Sequence, residues 1–398
     1  MISHRKAVFL ITIFVLGVAL HSPYIVTIAV SLLVILGVAN WWQSHSLDGI
    51  SYHRRFHYTR GFPGEHYPVR IEITNNKLLP VSWLRTQDPW PKAVGPDDQD
   101  LLAPSHIDEQ GFLTNVMSLR WYERFQRNIS IHFQKRGVYK VGPVLFDSGD
   151  LFGIYKQNRE IGLEESLTVF PKLIPFSRLD SIAEDPFGDQ RRQRSLFEDP
   201  NRPMGVREYH PEDGFRRVHW PATARTGQLH VKVYQPIAAQ VVTICLNVAT
   251  FPHPWEGYHA GKMEHLVSLA ATLVYQGLQA GYQVGLLSNG CLSNSDQPFR
   301  IPPGRSPKQL SHLLQALAGV TPLVITSFEN FLLKEVPNIP YGAMLVVLTA
   351  MTSPSLAETL LRLKKHERKI ILISTAPDTL DLIPGIRLIH LPYQDIEV

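Results

Sequence analysis

The chain has 398 residues, 44% of them hydrophobic, so it is long enough to bury more than one hydrophobic core. Its formal net charge of +4 is only mildly basic, which excludes a composition typical of nucleic-acid-binding proteins. Its two cysteines, Cys245 and Cys291, exclude a disulfide framework and fit a reducing compartment.

Two apolar runs near the N-terminus predict a pair of membrane-spanning helices. Residues 7–20 are uncharged, residues 25–39 are apolar again, and Pro23 lies in the break between them, where a proline favours a turn. Each run is shorter than the roughly 20 residues that a span requires, but flanking residues extend both. We therefore predict a transmembrane helical hairpin over residues 1–45, in contact with the lipid bilayer through residues 7–42.

Charged residues beside the two runs predict how the hairpin is oriented. Arg5 and Lys6 precede the first run, Arg54 and Arg55 follow the second, and the connecting loop has no lysine or arginine. The positive-inside rule predicts a multi-pass protein of the inner (plasma) membrane with cytoplasmic soluble domains. A cleaved signal peptide is the alternative, because a basic start before an apolar run is typical of one. The second apolar run and the lack of a convincing small-x-small cleavage site favour the hairpin.

Short alternating stretches between turn residues predict an all-β domain over residues 50–175. Residues 67–74 place Val69, Ile71 and Ile73 on one face, as in a half-buried strand. Further strands are expected at residues 81–85, 111–119, 129–134 and 138–146. The frequent turn signals indicate a β-sandwich or a small barrel. Asp150 is interpreted as a carboxylate that caps a turn.

Residues 176–204 are polar and charged, with few apolar residues and no periodicity, so they predict an exposed linker. The basic cluster of Arg191, Arg192 and Arg194 leaves open an attraction to an acidic partner or to anionic lipid. A solvated loop remains the simpler interpretation.

Residues 205–236 combine charges, aromatic rings and turn residues more densely than the other segments. Arginines and carboxylates nearly balance here, which favours a mutually paired network over an anion site. Two interpretations remain. One is a structural clasp of arginine–carboxylate pairs. The other is a docking or catalytic surface that contains Arg207, Glu208, Asp213 and His219.

The order of residues in this segment also carries a family resemblance. The residues concerned are Arg207, Glu208, Tyr209, Pro211, Asp213, Arg217, His219, Trp220, Ala224, Arg225, Gly227 and Leu229. This set resembles the signature of the DUF58 family of bacterial membrane proteins, and residues 136–153 are also similar to that family. The family usually has Gly, Asp and Lys where this chain has Glu212, His219 and Pro221. The predicted interaction residues are Arg207, Glu208, Tyr209, Asp213, Arg217, His219, Trp220 and Arg225.

Beyond the signature, buried strands alternate with helices. Continuous apolar runs predict strands at residues 241–248, 282–287, 344–348 and 370–374, with a possible fifth at 387–391. Helical spacing of apolar residues predicts helices at residues 263–279, 306–317 and 355–366. We therefore predict an α/β domain over residues 205–398 with a doubly wound, mostly parallel sheet.

This order of elements resembles a von Willebrand factor A-like domain, in which DUF58 proteins often end. Such domains hold a divalent metal with D-x-S-x-S after the first strand, where this chain has Asn247, Val248, Ala249, Thr250 and Phe251. Neutral side chains compensate the charge of Mg²⁺ poorly, so we predict the fold with a degenerate site that holds no metal. A metal-dependent adhesion module is the alternative. The loop end of the sheet is the expected binding edge.

The predicted function is that of a membrane-anchored, non-enzymatic interaction or adaptor protein. Phosphate-binding and zinc-hydrolase motifs are absent from the sequence, and we predict no catalytic residue, no cofactor and no nucleic-acid partner. The resemblance to DUF58 implies a MoxR-type AAA+ ATPase as partner, in the assembly or maturation of other proteins. The oligomeric state is left open. The alternative is a hydrolase-like enzyme that uses Glu208, Asp213 and His219, with His219 as base.

Overall fold

The computed structural model describes residues 4–162, 164–175, 198–210, 218–236, 241–293, 295–376 and 383–393. The chain divides into two compact units, Met1–Lys172 and Leu173–Val398. Each unit has its own cluster of buried apolar side chains.

Two helices open the first unit, α1 (His4–Ala19) and α2 (Pro23–Ser46). Among the described residues, α2 alone is long and apolar enough to cross a membrane. Helix α1 has 16 residues. At 1.5 Å per residue it is about 24 Å long, less than the roughly 30 Å of a bilayer's hydrocarbon core. The prediction of two transmembrane helices was therefore wrong. The apolar run of residues 7–20 does not continue into a longer helix. Helix α1 ends at Ala19, and the backbone at His21 has a φ of 50°.

Eleven strands follow among the described residues of the first unit. They are β1 (Ile50–Phe56), β2 (Arg60–Gly61), β3 (His66–Asn75), β4 (Val81–Pro91), β5 (Leu102–Pro104), β6 (Gln110–Leu119), β7 (Arg124–His132), β8 (Gly137–Val141), β9 (Val144–Gly149), β10 (Lys156–Ile161) and β11 (Glu165–Val169). They form three sheets, of order β1-β3-β7, β10-β9-β4-β6-β5 and β2-β11-β8, rather than the two faces of a sandwich or one closed barrel. Trp90, Phe133 and Phe146 fill the core between them.

The second unit begins with a two-stranded sheet and a short helix. Strands β12 (Glu198–Glu208) and β13 (His230–Pro236) pair antiparallel, and helix α3 (Trp220–Thr226) lies between them in the chain. Residues 176–197 of the predicted linker lie outside the described residues, whereas residues 198–204 are part of β12.

A larger sheet forms the rest of this unit. Its strands are β14 (Val241–Leu246), β15 (Gln283–Leu292), β16 (Pro298–Gly304), β17 (Val320–Val324), β18 (Met344–Thr349), β19 (Lys369–Ser374) and β20 (Arg387–His390). Its helices are α4 (Ala260–Gln279), α5 (Gln309–Gly319), α6 (Phe328–Glu335) and α7 (Pro354–Lys365). The order is β16-β15-β14-β18-β19-β20, with β17 also paired to β15.

This sheet is mixed. Strands β15, β14, β18, β19 and β20 run parallel, but β16 and β17 pair antiparallel with β15. The connection from β15 to β16 is too short for the crossover that a parallel return requires. Across the described residues the strands are spread over several sheets, mostly with antiparallel pairing. The prediction of a von Willebrand factor A-like, doubly wound, mostly parallel domain was therefore wrong.

Candidate functional site

A cavity of about 640 Å³ opens at the carboxyl ends of β14 and β18. Its walls come from the loop after β14, the segment that leads from β17 into α6, and the loop after β18. Representative wall residues are Val248, Phe251, Leu323, Ile325, Phe328 and Met351. We call this the strand-end cavity. It lies at the edge where α/β sheets commonly bind ligands, which is the edge that the sequence favoured.

Two asparagines that line the strand-end cavity, Asn247 and Asn289, form a hydrogen-bonded network with the buried Thr349. Asn247 donates from Nδ2 to Thr349 Oγ1 at 3.1 Å, and Asn289 donates from Nδ2 to Asn247 Oδ1 at 3.0 Å. Asn289 Oδ1 accepts from the backbone N–H of Val248 at 3.0 Å, and Asn247 Oδ1 also accepts from that of Ala249 at 3.1 Å. All three side chains are buried, and each amide oxygen already has a donor. We call this set the amide network.

The amide network bears on the predicted degenerate metal site. The oxygens of the amide network belong to amides and a hydroxyl, which carry no negative charge to balance a divalent cation. Within the described residues, no group of three His, Cys, Asp or Glu side chains is placed to hold a metal ion. The absence of a metal remains a prediction.

The rim of the cavity is apolar and exposed. Leu323 is 50% exposed, Ile325 56% and Tyr258 52%. Beside them, the Trp255 ring stacks on His253 with 4.3 Å between ring centroids and is 80% exposed. Large apolar side chains that cluster at a concave opening are typical of binding surfaces.

A single carboxylate, that of Glu329, lines the described part of the cavity. Its Oε1 atom accepts hydrogen bonds from Ser353 Oγ at 3.1 Å and Ser355 Oγ at 3.0 Å. Ser353 Oγ also accepts from the backbone N–H of Leu356 and so caps the N-terminus of α7. Glu329 lies in the first turn of α6, where the helix dipole favours a negative charge. The carboxylate is thus held by the wall itself.

The residues of the predicted signature lie on a different part of the second unit. Arg207 and Glu208 are exposed at the end of β12, and Arg207 Nη1 donates to the carbonyl oxygen of Glu208 at 3.0 Å. The backbone N–H of Tyr209 donates to the carbonyl oxygen of Leu229 at 2.9 Å. Arg225 lies exposed in the last turn of α3. Asp213 and Arg217 lie outside the described residues.

His219 and Trp220 mark the start of α3. His219 Nδ1 accepts the backbone N–H of Ala222 at 3.0 Å, so this side chain caps the helix. Nδ1 of His219 is thereby occupied as a hydrogen-bond acceptor at the first turn of the helix. Trp220 is 63% exposed. The His219 side chain thus contributes to the start of α3.

Both cysteines are buried, Cys245 in β14 and Cys291 in β15. Burial raises the pKa of the Cys245 thiol, which disfavours the thiolate that a nucleophile requires. This agrees with the interpretation of Cys245 as a small apolar residue of a buried strand.

The match to a known protein family falls within this second unit. Residues 205–378 match the family model "DUF58: Protein of unknown function DUF58". The resemblance to DUF58 is thereby confirmed for these residues, which include the signature and the whole lining of the strand-end cavity.

One curated relative matches a larger part of the chain. "Uncharacterized protein YeaD" from Bacillus subtilis (strain 168) is 20% identical over 269 residues, which are 67% of this chain and 61% of that protein. The chain therefore spans less than two thirds of the length of the relative that it matches.

Two solved structures are only remotely similar. Spo0M, a sporulation control protein from Bacillus subtilis, has a TM-score of 0.20 at 13% identity and covers 41% of this chain and 59% of that one. A type II cohesin domain from the cellulosome of Acetivibrio cellulolyticus has a TM-score of 0.21 at 12% identity and covers 30% of this chain and 94% of that one. Scores this low carry no argument about fold or function.

Sequence reasoning singled out Asn247 and this end of the sheet but missed the rim of the cavity. The only local signal was the apolar run of residues 323–325 between Pro322 and the helix cap Ser327. Such a run also fits an ordinary buried strand, and only the fold turns Leu323 and Ile325 outward.

Proposed function

We propose that this protein is a membrane-anchored interaction protein without catalytic activity, and that its strand-end cavity binds an apolar segment of a partner protein. The observation that carries the proposal is the exposed apolar rim of Leu323, Ile325 and Tyr258 above a base of satisfied, uncharged groups. An apolar side chain that enters such a cavity gains burial without leaving a polar group of the amide network unpaired.

The chemistry of the cavity supports binding rather than catalysis. The amide network has no group that titrates near neutral pH, and Glu329 is held by two serine hydroxyls in its wall. The His253 imidazole, which also lines the cavity, stacks on the exposed Trp255 ring. General acid–base and nucleophilic catalysis both need a titratable side chain aimed at the substrate. The polar lining therefore favours recognition.

For the partner, we propose a MoxR-type AAA+ ATPase, acting with this protein in the assembly or maturation of other proteins. This choice comes from the resemblance to DUF58, which the match over residues 205–378 supports. An adaptor of this kind needs a surface that binds another polypeptide, and we assign that role to the strand-end cavity.

For the anchor, we propose helix α2, whose 24 residues extend over about 36 Å at 1.5 Å per residue. That length is sufficient to cross a bilayer. Basic residues follow its C-terminus, among them Arg54, Arg55 and Arg60. By the positive-inside rule, we propose that the strands of the first unit, which follow α2, and the whole second unit lie on the cytoplasmic side of the inner (plasma) membrane.

The test is capture of the ATPase by the full-length protein. The intact chain is purified from membranes with ATP and with ADP, beside the variants Leu323→Asp and Ile325→Asp. The control Leu361→Asp changes an exposed apolar residue of α7 that does not line the cavity. We expect both rim variants to recover the AAA+ ATPase about tenfold less well than the wild type, because each places a charge in the apolar contact.

Two results would contradict the proposal. Recovery of no AAA+ ATPase by the wild type would exclude the partner. Equal recovery by the rim variants and by Leu361→Asp would exclude the cavity as the binding site.

A further inference from the structure

One end of the first unit carries exposed apolar side chains on three turns. The turns are residues 76–80 between β3 and β4, 120–123 between β6 and β7, and 150–155 between β9 and β10. The exposed fractions are 73% for Leu78, 63% for Trp121, 62% for Tyr122, 58% for Leu151 and 59% for Phe152. We call these five side chains the apolar end.

Strand pairing places all three turns at the end where helix α2 joins the unit. Strand β1, which follows α2 after a short connection, begins opposite the last residue of β3. Strand β3 in turn ends opposite the start of β7. Strand β4 begins opposite the ends of β6 and β9, and β9 ends opposite the start of β10. In antiparallel sheets these pairings bring the three turns together.

Hydrogen bonds join the turns to one another. Asn75 Nδ2 donates to the carbonyl oxygens of Leu79 and Arg120 at 3.0 and 2.8 Å, and thereby links the first two turns. Ser82 Oγ, in the second residue of β4, donates to the carbonyl oxygen of Asp150 at 3.4 Å and links the strand that follows the first turn to the third turn. The apolar end is therefore one surface rather than three separate loops.

The same turns hold the C-terminus of α2. Lys77 Nζ donates to the carbonyl oxygens of His45 and Ser46, where the helix dipole favours a cation. Gln43 Nε2 donates to the carbonyl oxygen of Lys156 at 3.0 Å, just after the third turn. A helix that crosses a membrane therefore leaves it beside the apolar end.

The third turn is held in shape from inside. The buried Asp150 carboxylate accepts the backbone N–H of Phe152 at 2.9 Å and that of Tyr155 at 2.6 Å, so its predicted role as a turn cap is confirmed. With the polar groups of the turn satisfied inward, Leu151 and Phe152 face outward. Their exposure is built into the turn.

We propose that the apolar end lies in the headgroup region of the same lipid bilayer that α2 crosses. The proposal rests on the membrane anchor proposed above and goes beyond it, because it assigns a membrane contact to the β-rich unit. The position of α2 identifies the lipid bilayer as the partner of this surface. Because the C-terminus of α2 is held by these turns, a bilayer around that end of the helix also lies next to Leu78 and Phe152. Tryptophan and tyrosine are enriched where a protein enters the membrane–water interface. Trp41 is 53% exposed and lies near the C-terminus of α2, the end of the helix that these turns hold.

A single-cysteine labelling experiment tests this contact. The native Cys245 and Cys291 are both buried, so an environment-sensitive nitrobenzoxadiazole dye directs itself to an introduced cysteine. The full-length variants Phe152→Cys and Leu78→Cys are labelled and reconstituted into vesicles of phosphatidylcholine and phosphatidylglycerol that contain spin-labelled lipid.

Two controls accompany them. Ile107→Cys reports an exposed apolar residue, 44% accessible, in the turn between β5 and β6 at the opposite end of the same sheet. Val34→Cys reports whether α2 itself is inserted. Circular dichroism checks that each variant folds like the wild type.

We expect blue-shifted emission and quenching by spin-labelled lipid at positions 152, 78 and 34, and neither at position 107. If position 34 is quenched while 152 and 78 resemble 107, the apolar end does not touch lipid and the inference fails although the anchor stands. If position 34 also remains in water, the anchor and the inference both fail. Blue-shifted emission at 152 and 78 without lipid quenching would mean that protein, such as a second copy, covers this end, and the inference would then also fail.

Discussion

The two units differ in the polar side chains that they bury, which are charged in one cluster and neutral in the other. In the first, the Arg54 guanidinium donates to both carboxylate oxygens of Asp88 at 2.8 and 2.9 Å, and its third donor meets Glu165 at 2.8 Å. Tyr52 adds a hydrogen bond to Asp88 at 2.8 Å. In the second, the amide network of Asn247, Asn289 and Thr349 carries no charge.

The positions of the two clusters explain the difference. The residues of the charged cluster come from β1, β4 and β11, which belong to three different sheets, so the cluster connects all three around a closed core. The amide network joins neighbouring strands of one sheet at the edge of an open cavity. Buried charges are tolerated where partners surround them. Uncharged groups beside a cavity leave it suited to an apolar occupant.

The largest expected effect comes from breaking the charged cluster. Asp88→Ala leaves the Arg54 guanidinium buried without its bidentate partner, and we expect a loss of about 3–5 kcal/mol in the free energy of unfolding. Urea unfolding of the full-length protein in detergent, followed by circular dichroism, measures it. The neighbouring Arg55→Ala is the control, because that side chain is 67% exposed and should contribute less than about 1 kcal/mol. Equal losses would show that the cluster does not hold the sheets together.

A smaller loss is expected from the amide network. Asn289→Ala removes the acceptor of the Val248 N–H and one donor to Asn247, so we expect a loss of about 1–3 kcal/mol. Asn338→Ala, which truncates an exposed asparagine of the same unit, should change stability by less than about 0.5 kcal/mol. The same urea titration separates the two, and matching midpoints would contradict a structural role for the network.

The wall of the cavity provides a finer comparison. Ser353→Ala removes the cap of α7, which should cost about 0.5–2 kcal/mol. Ser355→Ala loses the same type of bond to Glu329 but not the cap, and should cost less. If Ser355→Ala is the more damaging change in thermal unfolding, the bond to Glu329 rather than the cap stabilises this wall.

The smallest effect concerns pH. Burial lowers the pKa of His265 in α4, so the folded protein keeps this imidazole neutral where the unfolded chain binds a proton. Above the ordinary histidine pKa of about 6.5, His265 is neutral in both states and does not lower the stability of the fold. As the pH falls from there toward the lowered pKa of His265 in the folded protein, the unfolded chain binds a proton first, so the folded state loses stability. We expect the wild type to lose more stability than His265→Gln between about pH 7 and about pH 5. Parallel pH curves would mean that the acid response of this unit lies elsewhere.

Local sequence predicted what local forces decide. The apolar run before Asn40 predicted the core of α2, the continuous apolar runs predicted the buried strands β14, β18 and β19, and Asp150 was correctly placed in a turn. In each case the information lies within a few residues, since hydrophobic periodicity and turn chemistry act at short range.

Tertiary structure alone decided the features that join distant residues. Arg54 meets Glu165 across 111 positions of sequence, Asn247 meets Thr349 across 102, and the three turns of the apolar end converge from separate hairpins. Tertiary structure also decided that β16 and β17 pair antiparallel with β15, which makes the sheet mixed. Periodicity states which face of a strand is buried but not which strand lies beside it, because pairing depends on how the whole chain closes its core.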